Sequence, residues 1–299
     1  MSIKQKQFLD PKLFAQVKSL YLAARYVAEG AIGGYHKSPY VGYNAEFSHH
    51  REYQPGDELR HIDWKRYGKS GKYYVKQYEE SSSLNGFLIL DQSASMGAES
   101  SFSLNKERYS QVLCCAIAYL LLNQRDGFGF LSFAEKMRNF LPISSRMTQF
   151  GQLVNFLEGS DSCGGTSLID SIKSTLPSLK KKCLIVIISD FLDLEEELIE
   201  AIRLLRFYKH ELIAFHVLSP EELKFPFDDF STFVDLETGN TLSLEARTVR
   251  NNYEKSLEIY LKEIQSVMHK YSVDYQLFDT SIPIEKALVH FLYKRSRYL

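Results

Sequence analysis

The chain has 299 residues, of which 44% are hydrophobic. That length suits one large α/β domain with an extension, or two modest domains, and the composition supports a sizeable core. With 36 basic and 37 acidic residues, the net charge excludes a general attraction to nucleic acid or to an anionic membrane, so any charged binding surface must be local.

Residues 1–82 predict an N-terminal extension made of a helix, a loop-rich segment and a strand. A helix start at Asp10-Pro11 is followed by apolar residues at helical spacing. We expect this helix to end at the glycines that follow it, Gly30, Gly33 and Gly34. Residues 35–71 show little periodicity and predict loops, whereas the alternation over Lys72–Glu79 predicts a strand that pairs with the edge of the main sheet.

Residues 83–299 predict a second domain in which strands and helices alternate. The predicted strands are Phe87–Leu90, Gly127–Phe133, Cys183–Ser189, Glu211–Leu218 and Val273–Phe278. The predicted helices are Lys106–Asn123, Met147–Leu157, Leu168–Leu176, Leu194–Tyr208, Arg247–Tyr271 and one from Pro283. Met137–Leu141 is expected to form an edge hairpin, and residues 232–244 another. The fold class is therefore α/β, a doubly wound and mostly parallel sheet with helices on both faces.

Oxygen-bearing side chains follow the buried strands of this domain. Asp91, Ser93 and Ser95 come just after the first strand, Thr166 follows Gly164-Gly165, and Asp190 ends the strand Cys183–Ser189. Because the carboxyl ends of parallel strands meet at one edge of a sheet, these side chains should lie close together. Two carboxylates and three hydroxyls suit a hard cation such as Mg²⁺, or Mn²⁺ or Ca²⁺, with one position left for an incoming ligand. A carboxylate from a partner protein is the natural candidate for that ligand.

The order Asp-x-Ser-x-Ser, Gly-Gly-Thr and Ser-Asp resembles the metal-ion-dependent adhesion site of von Willebrand factor type A domains. The resemblance covers residues 84–299 and implies that Asp91, Ser93, Ser95, Thr166 and Asp190 are the metal ligands. It is the resemblance that selects Thr166, because Thr166 and Ser167 are equally good helix caps by chemistry.

The segment Arg51–Lys65 indicates one particular family with such a domain, since it resembles the hallmark of the bacterial domain of unknown function 58 family. That resemblance implies association with a MoxR-type AAA+ ATPase in a chaperone or maturation assembly. Within the segment, Arg60, Asp63, Trp64 and Lys65 are candidate partner-binding residues. A structural interpretation is also possible, in which the charged residues form ion pairs within the segment and Trp64 is a packing anchor.

The favoured function is a non-enzymatic, metal-dependent protein-binding module. The alternative is a Mg²⁺-dependent phosphohydrolase of the haloacid dehalogenase type with Asp91 as its nucleophile. Such enzymes need a second acid two residues later, and Ser93 stands there. A purely structural interaction protein that binds no metal is a third possibility.

The chain shows no sign of secretion or of a membrane span. The N-terminus lacks the apolar stretch of a signal peptide, and the longest apolar run, Val112–Leu122, is too short for a bilayer. The four cysteines include no Cys-x-x-Cys pair, so a thiolate zinc site is not expected. We therefore expect a cytoplasmic protein.

Overall fold

The computed structural model divides the chain into two compact units, residues 1–37 with 84–299 and residues 38–83. The helix Leu20–Tyr35 thus lies in the larger unit, although it was predicted as part of the N-terminal extension. The structure describes residues 19–35, 49–52, 64, 67–68, 71–77, 85–98, 100, 103–159, 162, 167–179, 181–192, 195–227, 230–234 and 240–296.

Helix α1 spans Leu20–Tyr35 and continues through the glycines that were expected to end it. The reason is tertiary packing, since its apolar face, which includes Leu20, Ala24 and Val27, is fully buried in the main core. A Cβ on Gly30 would lie 3.4 Å from Cβ of Glu285, an ordinary van der Waals contact, so the helix packs directly against the helix that carries Glu285. Packing therefore overrides the weak helix propensity of glycine.

The smaller unit contains a two-stranded sheet. Strand β1 (His49–Glu52) pairs antiparallel with β2 (Tyr74–Gln77), with His49 opposite Gln77. The expectation that the second of these strands joins the edge of the main sheet is therefore wrong, because its described partner is β1. The sequence His-His-Arg-Glu has no apolar alternation, which is why the sequence predicted a loop where β1 lies.

The larger unit is built on a six-stranded sheet. Its strands are β3 (Gly86–Asp91), β4 (Phe128–Phe133), β5 (Met137–Ser144), β6 (Leu184–Ser189), β7 (Glu211–Leu218) and β10 (Asp274–Asp279). Their order across the sheet is β10-β7-β6-β3-β4-β5, and every neighbouring pair is parallel except β4 with β5, which form the predicted edge hairpin. The central strand β3 has all six residues buried, as a strand covered on both faces requires.

Helices cover both faces of this sheet and form two apolar cores. Helices α1, α2 (Lys106–Asn123), α3 (Met147–Glu158) and α8 (Ile284–Ser296) supply residues to one core. The other core takes residues from α4 (Leu168–Thr175), α5 (Glu195–Phe207) and α7 (Ala246–Lys270). The predicted α/β fold class, with helices on both faces of a mostly parallel sheet, is confirmed.

Two short elements follow β7. Helix α6 spans Pro220–Lys224, and strands β8 (Phe230–Val234) and β9 (Thr241–Glu245) form the predicted antiparallel hairpin. Because β3, β6 and β7 are parallel neighbours, the segments that follow Asp91, Ser189 and Leu218 leave the sheet at the same edge. This edge carries the candidate site.

Candidate functional site

Asp91, the last residue of β3, is only 2% exposed and both of its carboxylate oxygens accept hydrogen bonds. Oδ1 accepts from the Ser93 amide at 2.9 Å, and Oδ2 accepts from the Ser189 hydroxyl at 2.6 Å. Burial, followed by the neighbouring charge of Asp190, raises the pKa of Asp91 from 3.8 to about 7, although these hydrogen bonds oppose the rise. A buried acid with such a pKa binds a proton or a cation near neutral pH.

Ser93 and Ser95 bring two hydroxyl oxygens to the same place. Ser93 is fully buried and precedes a short 3₁₀ turn over Ala94–Gly97. Because Ser93 has an extended backbone while the turn begins at the next residue, the chain reverses at once, and the two Oγ atoms lie 3.0 Å apart. The structure thus brings together Asp91, Ser93 and Ser95 as the sequence predicted.

Asp190 follows β6 and is 1% exposed. The next residue, Phe191, has a φ of 53°, a left-handed conformation that is strained for a bulky side chain. Hydrogen bonds hold it there, since its amide donates to Ser189 Oγ at 2.8 Å and its carbonyl accepts from the Tyr260 hydroxyl at 2.8 Å. The strained turn fixes the direction in which the chain presents Asp190.

His216 on β7 packs behind this turn. Its ring lies edge-on to Phe191 with centroids 5.3 Å apart, and its Nδ1 is 2.9 Å from the Tyr275 hydroxyl. Burial lowers the pKa of His216 to about 4, against the opposing influence of Asp190. The imidazole is therefore neutral at physiological pH.

Lys106 and Glu222 belong to the site, although the sequence analysis did not select them. Lys106, the first residue of α2, is 1% exposed, and its Nζ lies 2.6 Å from Asp190 Oδ2 and 2.5 Å from Glu222 Oε1. Burial lowers the pKa of Lys106, but the carboxylates of Asp190 and Glu222 more than offset this and raise it above its ordinary value. The site therefore holds a permanent ammonium ion.

Two sequence signals could have found this pair. A lysine at the first position of a helix opposes the helix dipole and so calls for a compensating acid. Ser219-Pro220-Glu221-Glu222 is a capping-box sequence with proline at the first helical position. The structure forms that box, because Glu222 accepts from the Ser219 amide and its own amide donates to Ser219 Oγ.

Thr166 lies outside the described residues, as do Gly164 and Gly165. Ser167 is the residue that precedes α4, but its side chain makes no capping hydrogen bond. Glu197 of α5 takes that role, and its Oε2 accepts from the amide of Leu168 at 2.9 Å. Thr166 and Ser167 were equally good candidates for the helix cap. Ser167 does not cap the helix with its own side chain.

Of the candidate partner-binding residues, Arg60, Asp63 and Lys65 lie outside the described residues. The Trp64 side chain is 59% exposed and lies edge-on to the ring of Tyr67, with centroids 6.2 Å apart. Its expected role as a packing anchor is wrong, since a buried anchor would be largely shielded from water. An exposed indole suits a binding surface better.

The described donors at the sheet edge are Asp91, Ser93, Ser95 and Asp190, which combine carboxylate with hydroxyl oxygens. In the described part of the chain no three Asp, Glu, His or Cys side chains group together as metal ligands. A cation held here would therefore depend on hydroxyl oxygens and water as well as on the acids.

Among the helices that the structure describes, none is long and apolar enough to cross a bilayer.

Comparison with solved structures finds weak overall similarity. The conserved hypothetical protein BatB from Bacteroides thetaiotaomicron is 19% identical with a TM-score of 0.48, over 72% of this chain and 99% of that one. The VWA domain of SpRpn10 is 11% identical with a TM-score of 0.42, over 69% of this chain and 93% of that one.

Comparison with known sequences identifies two relatives and a family. Uncharacterized protein Rv1480 of Mycobacterium tuberculosis is 27% identical over 237 residues, which cover 77% of this chain and 73% of that protein. Uncharacterized protein YeaD of Bacillus subtilis is 29% identical over 107 residues, 36% of this chain and 24% of that protein. The sequence profile described as "Protein of unknown function DUF58" matches residues 49–259, and the chain belongs to this family.

Proposed function

We propose that this protein is a non-enzymatic binding module that uses a divalent cation at the sheet edge to bind a partner protein through an acidic side chain. The observation that carries the proposal is the convergence of Asp91, Ser93 and Asp190 in one buried cluster at the carboxyl ends of β3 and β6. Such edges are where ligands of parallel sheets bind.

The donor geometry fits a hard divalent cation. Neighbouring ligands of an octahedral Mg²⁺ ion with bonds of about 2.1 Å lie about 3 Å apart. Ser93 Oγ and Ser95 Oγ, which are hydrogen-bonded to each other at 3.0 Å, lie at that spacing. Asp91 precedes Ser93 by two residues, and Asp190 follows the neighbouring strand β6. These four residues would hold the ion, with Thr166 as the fifth ligand implied by the resemblance.

The electrostatics of the cluster also favour a cation. Nζ of Lys106 contacts the carboxylates of Asp190 and Glu222. Burial raises the pKa of Asp91, and the neighbouring charge of Asp190 raises it further. A divalent cation would stabilise the ionised form of Asp91 beside Asp190, and it would bind an incoming carboxylate that completes its coordination.

The residues give less support to a phosphohydrolase. That class needs a general acid two residues after its nucleophile, and Ser93 occupies this position after Asp91. A serine hydroxyl is a poor general acid. We therefore do not propose enzymatic turnover.

The proposed partner is a MoxR-type AAA+ ATPase, and the proposed setting is a chaperone or maturation assembly in the cytoplasm. This part rests on family resemblance. Trp64, exposed in the smaller unit, is a candidate contact for that partner together with Arg60, Asp63 and Lys65.

The test is affinity capture with the tagged protein from its native cell, in Mg²⁺ and in excess EDTA. We expect a MoxR-type ATPase, identified by mass spectrometry, to be retained by wild type in Mg²⁺ and lost in EDTA or with Asp91→Asn. Asp170→Asn, which removes an exposed acid from α4, is the matched control and should retain the ATPase. Capture of the ATPase by the Asp91→Asn variant in EDTA would contradict the proposal.

A further inference from the structure

Lys106 is an unusual lysine because almost none of its side chain reaches water. Its side chain is 1% exposed, at the first position of α2, where the helix dipole disfavours a positive charge. Lysine is rarely fully buried, and when it is buried its charge must be paired. A residue placed against both of these tendencies is held by specific partners.

Those partners are the two carboxylates that flank it. Its Nζ is 2.6 Å from Asp190 Oδ2 and 2.5 Å from Glu222 Oε1, so one ammonium bridges two acids from different segments. An ammonium ion is a compact point charge with three donors. Beside Asp190, the ammonium of Lys106 therefore occupies a place where a metal cation could otherwise bind the carboxylate.

Asp190 has little room for a second cation beside this one. Its Oδ2 contacts Lys106, and its Oδ1 accepts from the Leu192 amide at 3.3 Å. A divalent ion near the same carboxylate would be repelled by the ammonium at short range in a poorly solvated site. The two cations therefore oppose each other at Asp190.

Glu222 provides the ammonium with an alternative acceptor that stays in place. Its Oε2 accepts from the Ser219 amide at 2.7 Å as half of the capping box, and its carbonyl accepts from the Tyr253 hydroxyl at 2.8 Å. These contacts fix Glu222 independently of Asp190. Lys106 can thus give up Asp190 and keep one full ion pair.

We infer that Lys106 is an internal competitor for the divalent cation at Asp190, and that Glu222 sets the strength of this competition by holding the ammonium when the cation binds. The inference rests on the proposed function, since it concerns how the same site is regulated. It makes cation binding weaker than the donor set alone would allow.

The test is Mn²⁺ binding measured by calorimetry in Lys106→Met and Glu222→Gln variants. Lys106→Met should bind Mn²⁺ at least about tenfold more tightly than wild type, because a like charge is removed at short range. Glu222→Gln should bind it several-fold more weakly, because the ammonium then has Asp190 as its one charged partner. In the double variant the Glu222→Gln effect should largely disappear, since the competitor is gone.

Matched controls come from the exposed pair Lys173–Glu200, whose Nζ–Oε1 distance is 2.9 Å. Lys173→Met and Glu200→Gln should leave Mn²⁺ affinity unchanged. In addition, the Lys106 ¹⁵Nζ resonance of wild type should shift on addition of Mg²⁺, which tests the exchange of partners even if Lys106→Met does not fold.

The outcomes separate the two proposals. If wild type binds Mn²⁺ but Lys106→Met binds it equally or less tightly, or the Nζ resonance does not respond, the competition is disproved while the metal site stands. If Lys106→Met binds Mn²⁺ and wild type does not, the competition is supported and the proposed function fails. If neither folded protein binds Mn²⁺, both proposals fail.

Discussion

The hydroxyl of Ser189 donates a hydrogen bond of 2.6 Å to Asp91 Oδ2, although the two residues are 98 positions apart in the chain. Ser189 Oγ also accepts a hydrogen bond from the amide of Phe191 at 2.8 Å. Ser189 therefore connects the end of β3 to the strained turn after β6. The two acids of the candidate site are positioned relative to each other through this one side chain.

Replacement of Ser189 by alanine should destabilise the protein. The change leaves Asp91 Oδ2 and the Phe191 amide without this partner in a buried site, which costs about 1–3 kcal/mol per unsatisfied group. Urea denaturation should show a lower midpoint with an unchanged slope. Ser145→Ala, at an exposed loop position, is the control and should have no effect. An unchanged midpoint for Ser189→Ala would show that the bridge contributes nothing.

Asp91 should make the metal-free protein less stable as the pH rises from about 4 to 7. Its pKa is raised to about 7 in the folded chain, so between these pH values the native state binds more protons than the unfolded state. By linkage the Asp91 contribution to the free energy of unfolding then falls with pH, by at most about 1.4 kcal/mol per pH unit. In EDTA above pH 7, Asp91→Asn should be more stable than wild type, because its amide is neutral and can still bond to Ser93 and Ser189. Lower stability of that variant would contradict the raised pKa.

His216 should act in the opposite direction over nearly the same pH range. Its pKa is lowered from 6.5 to about 4, so the unfolded state binds more protons and stability rises with pH from about 4 to 6.5. The two trends partly cancel in wild type, and single variants should separate them. Stability measured in EDTA should rise with pH in Asp91→Asn and fall with pH in His216→Asn. Parallel profiles for the two variants would show that one assignment is wrong.

Tyr260 should control the position of Asp190. Its hydroxyl supports the carbonyl of Phe191, whose left-handed backbone directs the preceding acid into the site. Tyr260→Phe should lower stability by about 1 kcal/mol and weaken Mn²⁺ binding by a few fold. Tyr208→Phe, on a ring that is 52% exposed, is the matched control. Wild-type Mn²⁺ affinity in Tyr260→Phe would mean that the turn does not depend on this bond.

The sheet and its helices were predictable because their signals are local. Strand β6 contains a continuous apolar run over residues 184–188, and α2 and α7 repeat apolar residues at helical spacing. Strand β1 was missed because its four polar residues carry no periodicity. The end of α1 differs from the prediction because the helix is buried in the main core and Gly30 contacts Glu285 of α8, and both contacts are distant in sequence.

The sequence predicts that the acids and hydroxyls meet at the sheet edge, but it does not predict the buried lysine beside them. Asp91, Ser93 and Asp190 follow strands whose order fixes where they meet, so topology alone brings them together. Lys106 and Glu222 join them from α2 and α6 across 116 residues. Their pairing depends on the length of the two side chains and on their burial, and neither property can be predicted from spacing along the chain.

Mn²⁺ titration of the purified protein tests the central claim most directly. At pH 8, where Asp91 is ionised, wild type should bind one Mn²⁺ ion, and Asp91→Asn should lose this binding while Asp170→Asn keeps it. Equal Mn²⁺ binding by wild type and Asp91→Asn, or none by folded wild type, would contradict a metal site at this sheet edge.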